Sequence, residues 1–228
     1  LQAGQRLAGV HLRGRAQDDG IQLRQGQAVG QLGGDVLDAV LVGHFLGLGQ
    51  VAADEGDDFH IRDVLDAVQV LDAEGACARE GHQTLRFNYQ GVSGSQGPIS
   101  KSPQRWLDDA LAAWVVCSEN AAGAVPLLVS IGASDAVALE LVKQRPIAGL
   151  AIINPSMSRA VDLAALPTLP LTVILAEHDT RHDRLEWSTA LQQRGADFVL
   201  VTGADRSFQR NLPLVGKAVA SLAAQVAS

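Results

Sequence analysis

The stretch VPLLVSIGASDAVALELVKQR, residues 125–145, decides the fold. It begins with an apolar run, residues 125–129, that has the length and composition of a buried β-strand. Residues 136–142 follow, and their pattern predicts a helix. Between strand and helix lies the turn GASDA, which has Ser134 at its centre and small residues before and after it.

Small residues around Ser134 are typical of a nucleophile elbow, a sharp turn that strains the serine backbone and lifts its hydroxyl above the sheet. Bulky neighbours would collide with the strand and the helix. In such a turn the backbone N–H of the next residue, Asp135, begins the helix and can face a developing oxyanion. The alternative is an ordinary turn in which Ser134 helps to cap the helix.

The chain beyond residue 80 alternates predicted strands and helices. Patterns predict strands at 84–89, 147–153, 169–176 and 197–201, and helices at 103–117, 185–194 and 209–226. Strands that alternate with helices form parallel sheets with right-handed crossovers. We therefore expect an α/β protein with a mostly parallel, twisted sheet flanked by helices.

A second stretch, LRFNYQGVSGSQG (85–97), is similar to the strand and glycine-rich loop that precede the elbow in α/β-hydrolases, where the pattern is close to RFNFRGVGxSxG. The elbow G-x-S-x-G of that family ends here in Ala136, which is still small. From about residue 81 to the end the chain resembles an α/β-hydrolase of the small esterase or dienelactone-hydrolase kind. The resemblance implies a serine hydrolase that acts on ester-type bonds of a small molecule without a cofactor.

The resemblance also indicates where the other catalytic residues belong. Asp179 ends the segment AEHD, which matches the family pattern GExD, and would orient the base. The segment GADRSF (203–208) matches GADHSF, but Arg206 stands where the family has the triad histidine. Arginine stays protonated and cannot accept the proton of a serine. His182 is the only histidine after Asp179, and its use as the base is disfavoured because one loop would then have to supply both acid and base to one serine. The turn Gly43-His44-Phe45 falls loosely where an oxyanion loop would lie, although a surface turn without that role is the favoured alternative.

Three interpretations follow from the missing histidine. The first is an esterase-type hydrolase with Ser134 and Asp179 whose base is lost or replaced and whose activity is weak or absent. The second is a non-catalytic protein of the same fold that binds a ligand in the cleft, with Arg206 gripping a carboxylate. The third is a corrupted gene product. A dinucleotide site is disfavoured, because Ser93 replaces the second glycine of the fingerprint and Pro98 follows.

The first part of the chain differs in composition from the rest. Residues 1–83 contain no Ser, Thr, Pro, Lys, Asn, Tyr, Trp or Met. We therefore divide the chain into a biased region, 1–80, and a hydrolase-like domain, 81–228, with residues 1–75 unmatched by the resemblance. Our hypothesis is that much of 1–75 is translated from a wrong reading frame; a continuous, selected frame in the source transcript would refute it.

Charge and cysteine content narrow the classes of partner. The net charge of −7 lies in residues 1–83, and neither half has a basic stripe, so a nucleic-acid partner is not expected. No apolar run is long enough to cross a membrane. The two cysteines, Cys77 and Cys117, form no disulfide framework, and no Cys/His spacing resembles a metal site. A reduced, cytoplasmic setting is the expectation.

Overall fold

The structure is a computed structural model. It describes the backbone of residues 10–13, 21–22 and 39–44, and it describes residues 73, 75–90, 98, 102–121, 123–157, 163, 166–208 and 210–227. Within these residues the strands form one eight-stranded sheet. The strands are β1 (Val10–Arg13), β2 (Ile21–Gln22), β3 (Ala39–His44), β4 (Gln83–Asn88), β5 (Leu127–Ile131), β6 (Gly149–Ile153), β7 (Leu171–Ala176) and β8 (Asp197–Val201).

The strand order is β2-β1-β4-β3-β5-β6-β7-β8. All pairs from β4 to β8 are parallel, whereas β1 is antiparallel to both of its neighbours. Strands β5, β6 and β7 are buried at every position, as their apolar sequences require in a sheet covered on both faces. The predicted mostly parallel α/β sheet is confirmed.

In the described part of the chain, four long helices cover the sheet: α1 (Pro103–Asn120), α2 (Asp135–Gln144), α3 (Arg184–Arg194) and α4 (Leu212–Ala227). Helices α1, α2 and α3 share a core with one face of the sheet, through residues such as Leu107, Leu141 and Trp187. Helix α4 packs against the other face, where the helical residues 75–79 contribute Cys77. Alternate strand residues point into the two cores, as the period of a strand dictates.

The predicted helices and strands recur with shifted ends. The shift that matters most for the site is in β5, which begins and ends two residues later than the predicted 125–129. Strand β3 lies inside the apolar stretch 36–48 and joins the same sheet as the strands after residue 80. The predicted division of the chain at residue 80 and the reading-frame hypothesis stay predictions.

The order of strands creates a switch point between β3 and β5. From β3 the chain crosses to β4 on one side and then to β5 on the other. Helices or loops that leave two adjacent strands in opposite directions open a crevice at the carboxyl ends of those strands, and ligands of open α/β sheets bind there. From the fold we therefore expect a ligand site at the carboxyl edge of the sheet, beside the end of β5.

Candidate functional site

The turn that follows β5 is sharp, and its strained position is Gly132. Residues Gly132–Ser134 form a short 3₁₀ turn between β5 and α2. Gly132 has a left-handed φ of 59°, whereas Ser134 has ordinary helical angles, φ −76° and ψ −5°. We predicted that the strained residue would be Ser134, and that prediction is wrong. The left-handed conformation suits glycine, because it has no Cβ to collide with the backbone.

Two serines flank Gly132 at equal distances along the chain. Ser130 precedes it by two residues and Ser134 follows it by two, and their Oγ atoms lie 3.1 Å apart. Both residues are buried. A strand-to-helix elbow requires small residues on either side of its apex. Here they are Ser130 and Ser134, and the apex between them, Gly132, has no side chain.

The hydroxyl of Ser134 is engaged in the turn itself. Its Oγ donates to the carbonyl of Ile131 at 2.8 Å and accepts from the backbone N–H of Ile131 at 3.0 Å. Only 2% of the residue is exposed. With these bonds the hydroxyl closes the turn.

Asp135 anchors the start of α2 to the loop after β6. Its backbone N–H donates to the carbonyl of Gly132, so it does not face outward as the predicted oxyanion role requires. Its buried carboxylate accepts from the backbone N–H groups of Ala136, Ser156 and Met157 at 2.6, 2.6 and 2.9 Å, and from the Ser156 hydroxyl at 2.8 Å. Sequence analysis missed this anchor, because Ser156 is distant in the chain.

Asp179 follows β7 at the same edge, as predicted, and its carboxylate is bound by Arg181. Arg181 Nε donates to Oδ1 at 3.0 Å, its Nη2 donates to Oδ2, and its backbone N–H donates to Oδ1 at 3.1 Å. Burial would raise the pKa of Asp179, but the hydrogen bonds and charge of Arg181 outweigh burial and hold the pKa below its usual range. Asp179 is therefore an ionised carboxylate whose partner is an arginine.

His182 is buried beside Asp179 and is in contact with the loop after β6. Its Nε2 lies 3.1 Å from the carbonyl oxygens of both Pro155 and Met157, and its Nδ1 lies 3.5 Å from Asp179 Oδ2. The ring also packs edge-to-face on Trp187, with 5.5 Å between the centroids. These contacts hold the imidazole against the loop after β6, so they oppose its use as a replacement base.

Arg206 lies after β8 and is exposed. Asn154 links the loop of Arg206 to the loop after β7. Asn154 Nδ2 donates to the Arg206 carbonyl at 3.2 Å, and Asn154 Oδ1 accepts from Arg181 Nη2 at 3.0 Å. The loops after β6, β7 and β8 are therefore linked by hydrogen bonds through one asparagine. The guanidinium of Arg206 cannot act as a base.

Four other histidines are placed as follows. His44 ends β3, where its backbone is in register with Ile131 at the end of β5. The predicted turn at residues 43–45 thus begins at the carboxyl edge, although Phe45 and the loop 91–97 lie outside the described residues, as does His60. His82 precedes β4 at the opposite edge of the sheet, and His178 is exposed. The oxyanion role of residues 43–45 stays a prediction.

The described residues contain no group of three or more His, Cys, Asp or Glu side chains that could hold a metal ion. Burial raises the pKa values of both cysteine thiols to about 12, which makes them poor nucleophiles and ligands. In the part of the chain that the structure describes, no helix has the length and apolar character needed to cross a bilayer.

Comparison with solved structures identifies the architecture. A serine hydrolase homologue from Coxiella burnetii is 16% identical, with a TM-score of 0.63 over 84% of this chain and 86% of that one. An α/β serine hydrolase without a lid from Xanthomonas campestris is 17% identical, with a TM-score of 0.62 over 82% and 81%. The chain has the α/β-hydrolase fold. Est1E from Butyrivibrio proteoclasticus, a structure with bound ferulic acid, superposes over 93% and 92% with a TM-score of 0.64 and 13% identity.

At these identities the similarity establishes the α/β-hydrolase fold and leaves the activity open. No protein-family model and no characterised protein sequence matches the chain. Within this fold the strained turn after β5 is the position of the nucleophile. The sequence did contain the relevant signal, the spacing S-x-G-x-S at 130–134, but it could be recognised only once the end of β5 was known.

Proposed function

We propose that this protein binds a small molecule at the carboxyl edge of its sheet and does not hydrolyse it through a serine nucleophile. The observation that carries the proposal is the left-handed backbone of Gly132 at the first residue after β5. The nucleophile of an α/β-hydrolase occupies the strained position of this turn. A glycine there offers no hydroxyl; of the two flanking serines, both buried, Ser134 is bonded to Ile131 and lies 3.1 Å from the Ser130 hydroxyl.

The other two positions of the triad support the same proposal. Arg206 stands where the family has its base, and an arginine does not take up a proton at neutral pH. Asp179, at the position of the acid, is bound by Arg181 and not by a histidine Nε2 that faces the cleft. Loss of a single triad member removes several orders of magnitude in rate, and here two of the three functional groups are of the wrong type.

Binding is favoured over a purely structural role because the edge is preorganised. Asn154 holds three loops together there, and the switch point of the sheet lies next to Gly132. A small-molecule ligand fits a crevice between loops of this fold. The predicted cytoplasmic location and the absence of a nucleic-acid partner remain expectations from composition alone.

Ester turnover tests the catalytic half of the proposal. We expect the chain to hydrolyse p-nitrophenyl acetate no faster than its Ser134→Ala variant does. The double variant Gly132→Ser/Arg206→His is expected to gain turnover that neither single change produces, because nucleophile and base act as a unit. Turnover by the original chain that Ser134→Ala abolishes would refute the proposal and establish hydrolysis with Ser134 as the nucleophile.

Ligand titration tests the binding half. Ferulic acid is a suitable probe, because it is bound in the similar structure of Est1E. In ¹⁵N-resolved spectra we expect millimolar ferulic acid to shift the Asn154 side-chain amide and the Gly132 amide. The Trp114 indole, which donates to Pro146 at the opposite edge, is an internal control that should not move. Equal shifts at both edges, or none at the carboxyl edge, would contradict a site for aromatic acids there.

A further inference from the structure

The polar surroundings of His182 consist of hydrogen-bond acceptors. Nε2 faces two carbonyl oxygens at 3.1 Å, those of Pro155 and Met157. Nδ1 faces Asp179 Oδ2 at 3.5 Å, and within the described residues this buried nitrogen makes no hydrogen bond. The side chain is 1% exposed, so it is shielded from bulk solvent. A buried polar atom without a partner is uncommon and indicates strain or function.

The geometry selects one form of the neutral ring. A neutral imidazole has a single N–H, and the other nitrogen has a lone pair. Placing the proton on Nε2 satisfies two carbonyls, whereas placing it on Nδ1 would turn the Nε2 lone pair toward both of them. An Nδ1–H would face Asp179 Oδ2 only at 3.5 Å, whereas Nε2 has two acceptors at 3.1 Å, so the distances favour the Nε2–H form, which leaves the Nδ1 lone pair directed at a carboxylate.

Among the residues that the structure describes, the charged groups beside His182 are Asp179 and Arg181, both on its own loop. The described part of the loop after β6 presents the carbonyls of Pro155 and Met157, and Asp135 binds the backbone N–H groups of Ser156 and Met157. Helix α3 presents the ring of Trp187. Burial lowers the pKa of His182, and the attraction of Asp179 offsets only part of this effect, because Arg181 already compensates the carboxylate.

We propose that His182 is a proton-controlled latch between the loops after β6 and β7. A proton from solvent binds Nδ1, and the new N–H donates to Asp179 Oδ2. Arg181 Nη2 and Nε both donate to this same oxygen, which occupies its two lone pairs, so the imidazolium competes with Arg181 for it. Arg181 also binds Asn154, and Asn154 binds the Arg206 carbonyl. Acidification therefore weakens a chain of contacts that ends at Arg206.

The latch does not depend on whether the cleft binds a ligand, so it can be tested on the free protein. The unaltered chain, labelled with ¹⁵N, is titrated from pH 8 to pH 4.5 while the ring nitrogens of His182 and the Nε–H signal of Arg181 are followed. We expect a neutral Nε2–H ring at pH 8 and a midpoint below the ordinary value of about 6.5. The Arg181 Nε–H signal should broaden with the same midpoint.

A fluorescence experiment tests the same proposal with substituted variants. An imidazolium in contact with an indole quenches its fluorescence, so Trp187 reports on His182 when Trp106 and Trp114 are replaced by Phe. The quench should vanish in His182→Gln and persist in His178→Gln, the matched change at an exposed histidine of the same loop. Three results would overturn the proposal: a neutral His182 ring with its proton on Nδ1 at pH 8, a His182 titration midpoint at or above 6.5, or an Arg181 Nε–H signal that does not change with pH.

Discussion

The anchor formed by Asp135 makes the sharpest prediction about stability. Replacing Asp135 with asparagine keeps the shape of the side chain but removes its charge and turns an NH₂ group toward donors. The carboxylate accepts from the N–H groups of Ser156 and Met157 and from the Ser156 hydroxyl, all between 2.6 and 2.9 Å. The residue is 1% exposed, so water cannot replace these bonds.

The magnitude follows from the number and type of the bonds. A hydrogen bond to a charged group contributes about 1.5–3 kcal/mol, and a buried donor left without a partner costs about 1–3 kcal/mol. Because the bonds share one carboxylate, their energies do not add fully. We expect Asp135→Asn to lower the free energy of unfolding by about 3–5 kcal/mol. For a chain of this size that corresponds to a drop in Tm of roughly 10 °C.

Urea unfolding, followed by circular dichroism, measures this loss. The control is Glu140→Gln on the same helix, whose side chain is 46% exposed and bonds to Lys143 at 3.2 Å on the surface. The control should leave the unfolding midpoint nearly unchanged, because exposed ion pairs contribute little. A loss below about 1 kcal/mol for Asp135→Asn would show that the loop after β6 is held by other contacts.

Three further predictions concern other parts of the structure. Gly132→Ala should lower the free energy of unfolding by about 1–2 kcal/mol in urea titrations, because the added Cβ strains a left-handed backbone. An unchanged unfolding midpoint would contradict a left-handed conformation at residue 132. Cys77 and Cys117, with pKa values raised to about 12, should react with a thiol reagent only after urea unfolding. The depressed pKa of Asp179 means that its ion pair stabilises the fold above the unfolded pKa of about 3.9, and that this contribution disappears as the pH falls through the lower folded value. The stability difference between the chain and Asp179→Asn should therefore be full at pH 6 and shrink toward pH 2, and a pH-independent difference would refute it.

Sequence patterns were sufficient for the strands and helices after residue 80. Strands β6 and β7 are nearly continuous apolar runs, and helix α3 is preceded by the N-cap Asp183, whose side chain accepts from the backbone N–H groups of Leu185 and Glu186. Such signals are local, because an apolar run and a helix cap can both be recognised from consecutive residues in the chain. The fold class could therefore be predicted without any contact information.

The site could not be predicted in the same way, because its identity depends on where β5 ends. Ser130 and Ile131 belong to β5 since they pair with Gly43 and His44 on one side and with β6 on the other. Those partners are distant in the chain, and without them the motif G-x-S-x-A favours Ser134 as the apex. Extending the strand by two residues moves the apex to Gly132. The inward turn of Arg181 onto Asp179 is likewise a tertiary contact that no local pattern encodes.

Backbone strain is concentrated at this same edge of the sheet. Asn154, after β6, has a φ of 51°, and Phe208, after β8, has a φ of 53°. For a bulky residue such as Phe208 the left-handed region is strongly disfavoured, and strain of this kind costs about 1–3 kcal/mol per residue. It persists only where surrounding contacts enforce it: the ring of Phe208 is fully buried, and Asn154 is bound by Arg181 and by the Arg206 carbonyl.

The location of this strain bears on function. Sequences that relax strain gain stability, so strained backbones are found mainly where a defined geometry is needed. At this edge a left-handed Gly132, Asn154 and Phe208 follow β5, β6 and β8, and in the proposed assignment Gly132 and Arg206 occupy the positions where hydrolysis would need a nucleophile and a base. An edge that keeps its shape without a nucleophile and a base can still recognise a ligand. The combination therefore favours binding at the carboxyl edge over both turnover and a purely structural role.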